Sequence, residues 1–316
     1  MEIRSPKNEA ELEAVFDLCA LAFSGTSRAY FSRSVRNDPD WEPWHTRVLC
    51  EGDRIVSTVQ IFAREIAFHN GWIPCAGIGN VATHPAFRGR GLASSLLADT
   101  LRLVRQNGYA VSLLFTGIPG FYRRLGYRVL PTRRNILRWR EGAVPGGRGV
   151  RAMAPGDWPY VRDLHENHAR GCPVLVRRSA ERWAALDKSA ISYRPQWLVH
   201  DAQQGVDGYL RLDRIDDRWW VTEYGAPSEE ILDALLDEAF RRSGASQILV
   251  DSLDREGLLA KSPFLAGSAQ VGELMIAILD RDLLTRSLGL SQPEEVDEYV
   301  EHLSQQGVDM WRTDFF

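Results

Sequence analysis

The sequence predicts an α/β (α+β) chain of two similar domains, each a mixed, largely antiparallel central sheet flanked by helices. Three observations lead there. At 316 residues the chain is too long for one ordinary core. Its hydrophobic period switches repeatedly between the helical and the strand value. The order of elements in the second half echoes that of the first, with no residue motif repeated.

Taken in order, Glu9–Phe23 carries Leu12, Val15, Phe16, Cys19 and Phe23 at helical spacing. Residues 38–44, rich in Asp, Pro and Trp, read as a loop. Thr46–Cys50 and Ile55–Phe62 read as strands joined at Glu51-Gly52-Asp53, and Asn70-Gly71 marks a hairpin. Ala76–Thr83 reads as a strand. From Gly91 to Gln106 a helix follows, with Leu92, Leu96, Leu97, Leu101 and Val104 on one face, ended by Gly108. Tyr109–Phe115 is a strand, Pro119–Leu125 a short helix, and Tyr127 opens another strand.

Residues 141–150 are the clearest linker in the chain. Beyond them, Gly156–Asn167 reads as helix. Trp197–Asp201, Gly208–Arg214 and Arg218–Tyr224 read as strands, Ser228–Arg242 as helix and Ser246–Ser252 as strand, with a last helix over Pro293–Leu303. This divides the chain into residues 1–142, 150–285 and a C-terminal helix and tail over 286–316.

A net charge of −4 argues against nucleic acid or an anionic membrane as partner, because both reward clustered Lys and Arg. The four cysteines, Cys19, Cys50, Cys75 and Cys172, form no CxxC pair, so free thiols are expected rather than a metal site or a disulfide framework. No leader-like stretch opens the chain and no segment reaches the roughly 18 apolar residues of a membrane span. Cytoplasm is the expected location. Homo-oligomerisation stays open.

The chemistry concentrates in residues 80–97, where a strand ends, a loop rich in Arg and Gly turns, and a helix begins. Glycines let the backbone approach a bulky anion, and the amides and dipole of a helix start favour negative charge. Arg88 and Arg90 add donors for phosphate oxygens. The Gly-Lys-Ser/Thr ending of a P-loop is missing, and so is Gly-x-Gly-x-x-Gly.

Arg88-x-x-Gly91-x-Ala93, after a strand and before an amphipathic helix, with Phe121-Tyr122 and Gly126-Tyr127 downstream, resembles motif A and its surroundings in the GNAT superfamily of N-acetyltransferases. The resemblance implies that acetyl-CoA is the cosubstrate and that no metal is needed. Val81, Ala82 and Thr83 would face the pantetheine arm. Arg88, Gly89, Arg90, Gly91, Leu92, Ala93 and Ser94 would wrap the diphosphate. Gly117 and Ile118 would border the same cofactor. Tyr122 would be the general acid for the leaving thiolate, with Tyr127 packing as the start of a strand.

Two acetyltransferase-like halves, the motif in the first, and an aromatic end (Asp314-Phe315-Phe316) resemble the Eis-type tandem enzymes. Those acetylate amines of aminoglycosides and polyamine-like molecules. There the terminal carboxylate is the general base, which implies that role for the α-carboxylate of Phe316. The chain departs from that pattern in lacking a sterol-carrier-like third module and in carrying Phe315 where an acidic residue would help hold a polyamine. In the second half, Glu223-Tyr224-Gly225-Ala226-Pro227-Ser228 stands where the loop motif would be, so that half is expected to shape the acceptor pocket. Asp38, Asp40, Trp41, Trp44 and Glu223 are candidates to border a cationic acceptor. His84 reads as a turn residue, and the pair His165 and His168 as a solvated helix face. The expected function is acetyl transfer to a primary amine of a small molecule. An acyl-CoA sensor without catalysis, or an enzyme acting on a protein amine, are the alternatives.

Overall fold

The computed structural model describes residues 1–142, 149–186, 195–203, 205–254, 257–311 and 314. The first half runs β1 (Glu2–Arg4), α1 (Glu9–Ala22), α2 (Arg28–Arg36), β2 (Thr46–Glu51), β3 (Arg54–Phe68), β4 (Gly71–Thr83), α3 (Leu92–Gln106), β5 (Val111–Phe115), α4 (Pro119–Arg123) and β6 (Arg128–Arg138). The second runs β7 (Val150–Ala152), α5 (Trp158–Gly171), β8 (Val176–Arg177), α6 (Ala180–Ala185), β9 (Gln196–Ala202), β10 (Gly205–Ile215), β11 (Arg218–Gly225), α7 (Glu229–Ser243), β12 (Gln247–Asp251), α8 (Leu258–Lys261) and β13 (Leu265–Ile278). Helices α9 (Arg281–Leu288) and α10 (Glu294–Gln306) follow.

The thirteen strands of the described residues belong to one sheet, in the order β1-β2-β3-β4-β5-β13-β6-β12-β11-β10-β9-β7, with β8 pairing with β3 off this path. The two halves repeat each other. Each is an antiparallel set whose last neighbours are parallel, β4 with β5 and β11 with β12, joined by an amphipathic helix, α3 or α7. The strand that closes each half has crossed over: β6 pairs with β12, and β13 lies between β5 and β6. A boundary at residues 142–150 therefore divides the chain but not the sheet.

Local chemistry accounts for the elements around the loop. Asn8 caps α1 by accepting from the Glu11 amide, and Ser27 caps α2 by accepting from Tyr30. Helix α3 buries Leu92, Leu96, Leu97, Thr100 and Val104 against Val56, Ile61, Ala76 and Ile78 of the sheet. Each such Leu contributes about 1.5–3 kcal/mol. On the opposite face, α1 and α2 cover Val48, Cys50 and Ala82. The C-terminal helices cover β3 to β5 through Val296, Val300 and Leu303, and Met310 of the tail joins the same cluster. All four cysteines are buried free thiols.

Helix α2, β8, α6, α8, β13 and α9 were not legible in the sequence. Strand β13 is the instructive case. Its first part, Leu265–Glu273, is mostly exposed or half-buried and contains Gly267 and Gly272, and only from Leu274 onward does the continuous apolar run of a buried strand appear.

Candidate functional site

Strands β4 and β5 pair from Cys75↔Val111 to Ile78↔Leu114 and then part. Two causes lie in the backbone. On β4, Asn80 takes a positive φ of 49°, and the register against β3 skips a residue there, which is a bulge. The Asn80 side chain donates to Ser34 Oγ at 3.4 Å, tying the bulge to α2. On β5, the Thr116 amide donates to Glu273 O at 2.8 Å, carrying the chain toward β13. The opening between the strands leads to the turn after β4.

That turn presents an unusual run of amides. After Arg88, whose N–H donates to Pro85 O, no amide from Gly89 to Ser94 meets an acceptor among the described residues, until Ser95 donates to Gly91 O. Gly89 (φ 77°) and Gly91 (φ 74°) hold the left-handed conformations that aim these groups outward. Helix α3 has no side-chain cap and no acidic residue in its first turn. Its positive dipole end is therefore uncompensated.

The second half shows the contrast. Helix α7 is capped by Ser228 and carries Glu229 and Glu230 in its first turn, so its N-terminus is already neutralised. The corresponding opening between β11 and β12 is filled with protein. The Tyr224 hydroxyl lies 3.2 Å from Ser252 Oγ, and Trp311, fully buried, packs edge-on against Tyr224 at 5.1 Å.

Of the sequence-derived candidates, Val81, Ala82 and Thr83 form the end of β4 beyond its pairing with β5. Arg88, Gly89, Arg90, Gly91, Leu92, Ala93 and Ser94 form the turn and helix start, with Leu92 buried in the core. Arg88 is not free to swing: its guanidinium donates to Thr83 O (3.3 Å) and Ala22 O (3.1 Å), bracing the turn against the end of α1. Gly117 is exposed, and Ile118 presents 64% of its surface at the entrance to α4.

Tyr122 and Tyr127 separate clearly. The Tyr127 hydroxyl sits 2.7 Å from Ser112 Oγ in the core, and burial pushes its pKa up. The Tyr122 hydroxyl makes no hydrogen bond to a described residue, although the residue is 7% exposed. Burial pushes its pKa up to about 12.

Phe316 lies outside the described residues, as does Phe315. The tail is anchored just before them. Arg178, fully buried, donates from Nε to Asp314 Oδ1 (2.9 Å) and from Nη2 to Oδ2 (3.0 Å), and grips Glu223 with Nη1 and Nη2. Glu223 also accepts from the Tyr209 hydroxyl at 3.0 Å. It is thus a core group joining the second half to the tail through Arg178, and it does not face an acceptor. Burial alone would raise its pKa, but Arg178 and His165 outweigh that and hold it well below the usual carboxylate range.

Asp38 is likewise a structural acid, paired with Arg64 and Arg182. Asp40 borders a cleft of about 950 Å³ between the halves, together with Glu42, Arg64, Tyr109, Arg182 and Trp183. Trp41 packs with α1 and α2, and the Trp44 ring lies tilted against His45 at 4.1 Å. His165 is buried in the core, not solvated, and His168 stacks on Trp311. His84 holds its turn, with Nδ1 accepting from the Ala86 amide at 3.2 Å.

Known proteins similar to this chain are named as acetyltransferases. A family profile described as an acetyltransferase (GNAT) domain matches residues 2–130. The chain is 34% identical over 156 residues to the N-acetyltransferase Eis of Mycobacterium tuberculosis, covering 46% of this chain and 39% of that protein. It is 26% identical over 198 residues to an uncharacterized N-acetyltransferase of Streptomyces avermitilis, covering 56% and 46%. The matched segments thus span less than half the length of these curated relatives.

Among solved structures, a GCN5-related N-acetyltransferase from Kribbella flavida superposes with a TM-score of 0.73 at 20% identity, covering 89% of this chain and 72% of that one. Eis1 from Mycobacterium abscessus superposes at 0.65 and 17%, covering 89% and 74%. Both share the fold. Residues 2–130 of this chain are therefore similar to a GNAT acetyltransferase domain.

Proposed function

We propose that this protein is an acetyl-CoA-dependent N-acetyltransferase acting on a primary amine of a small molecule, polyamine or aminoglycoside in type. The observation that carries the reading is the run of unbonded amides from Gly89 to Ser94 at the uncapped start of α3, beside the parting of β4 and β5. Donors in that arrangement suit a diphosphate. The open edge of β4 at Val81–Thr83 supplies backbone groups for the pantetheine amides. The cleft between the halves has room for a small-molecule acceptor, at the upper end of such volumes, and its lining mixes the acids Asp40 and Glu42 with the cations Arg64 and Arg182.

In the reaction the acceptor nitrogen attacks the thioester carbonyl, the C–S bond breaks, and sulfur leaves as thiolate. Tyr122 is the donor we assign to it. Its pKa of about 12 keeps it protonated at every physiological pH. Against a thiol near 8.5, complete transfer from the phenol would be uphill by about 5 kcal/mol. The hydroxyl therefore acts chiefly by hydrogen-bonding the developing thiolate, which takes a proton from solvent as coenzyme A leaves, balancing the proton that the nitrogen gives up. The proton lost by the nitrogen goes, in this reading, to the α-carboxylate of Phe316, two residues beyond the anchored Asp314. Thiol release from acetyl-CoA in the presence of amine panels tests the reading. Saturable release with polyamines or aminoglycosides is expected, and CoA binding without transfer to any amine would overturn it.

A further inference from the structure

The entrance to the amide run is ringed by cations without counter-ions. Arg54 opens β3, outside the turn, and its guanidinium lies 5.3 Å from the ring centroid of Phe87. The Arg90 guanidinium lies 5.0 Å from the same ring. With Arg88 they make three exposed arginines, and none pairs with a carboxylate among the described residues. Glu51 and Asp53, on the adjoining hairpin, do not pair with Arg54 either.

His84 adds a second, independent sign. Its Nδ1 accepts from the Ala86 amide at 3.2 Å, and its Nε2 lies 2.7 Å from Arg54 Nη2. A neutral imidazole has one accepting nitrogen, while a guanidinium only donates. Both nitrogens of His84 thus face N–H donors, and one contact sets donor against donor. The cluster is short of acceptors, and an anion drawing Arg54 outward would relieve it.

We infer that Arg54, together with Arg90, receives the ribose 3′-phosphate of coenzyme A and so makes the protein selective for that group. The inference rests on the cosubstrate reading above. The amides of Gly89–Ser94 supply donors enough for the diphosphate. The remaining phosphate of the molecule is a monoester with two ionisable oxygens, and two guanidiniums within 5.3 Å of the same ring centroid are charge-assisted donors for it. Arg54 lies outside the loop motif, and no pattern around it points to the turn.

The test is calorimetric titration with CoA and with 3′-dephospho-CoA, which needs no knowledge of the acceptor. The native chain should bind CoA at least about tenfold more tightly, the ratio that one charge-assisted contact supplies. In Arg54→Gln the ratio should fall below about threefold, through weaker CoA binding. The dephospho ligand serves as the internal control for folding. Equal affinities in the native chain would overturn the inference while leaving the cosubstrate reading intact. A ratio that survives Arg54→Gln would also overturn it. Failure of both ligands to bind would instead remove the cosubstrate reading itself.

Discussion

Tyr122→Phe isolates one hydroxyl. That group makes no hydrogen bond to a described residue, so its removal breaks no buried pairing and should change stability by less than about 1 kcal/mol. Burial that lifts the phenol to about 12 penalises its phenolate by about 3 kcal/mol relative to water. The hydroxyl is thus a fixed donor with no competing partner, and donation to the leaving sulfur is the contribution it has to offer. Losing a positioned donor of this kind should lower kcat by roughly 10²-fold. The affinity for CoA should stay within about twofold, because the amide run is untouched. Because the phenol stays protonated, no loss of rate due to Tyr122 should appear below about pH 11. The assay is thiol release at saturating acetyl-CoA and acceptor, alongside calorimetry for the cofactor. Retention of kcat within about threefold would refute the assignment.

Three further outcomes follow from the same geometry. Gly91→Ala places a Cβ on a left-handed residue with open space around it, so it should cost about 1–2 kcal/mol in stability and weaken CoA binding measurably by calorimetry. Deleting Phe316 should lower kcat with little change in CoA affinity, and an unchanged kcat would remove the terminal carboxylate from the mechanism. Arg178→Met leaves Glu223 and Asp314 buried without their cation, so a loss of about 3–5 kcal/mol is expected in denaturant melts. Glu223 also sets a pH dependence. Its folded pKa is depressed, so its stabilising contribution is present above the unfolded value of about 4.3 and is lost as pH falls below it. Acid titration of stability should therefore show a decline below about pH 4.3 that is blunted in Arg178→Met.

The first half was readable because its elements each satisfy a local rule. Helix α3 has a complete apolar face, Asn70-Gly71 closes the β3–β4 hairpin, and glycines mark the turn. What eluded sequence reasoning depends on partners far along the chain. Glu223 and Asp38 look like surface acids until Arg178, Arg64 and Arg182 are brought to them. The crossing of β6 and β13 has no local signal, since a strand's own pattern does not say which sheet edge it joins. Arg54 escaped because it reaches the turn from β3, some thirty residues upstream of His84.

The most direct test of the account is a crystal structure with CoA bound. The account predicts diphosphate oxygens about 3 Å from the amides between Gly89 and Ser94, with the thiol beside Tyr122. Coenzyme found elsewhere, with those amides left facing solvent, would contradict it.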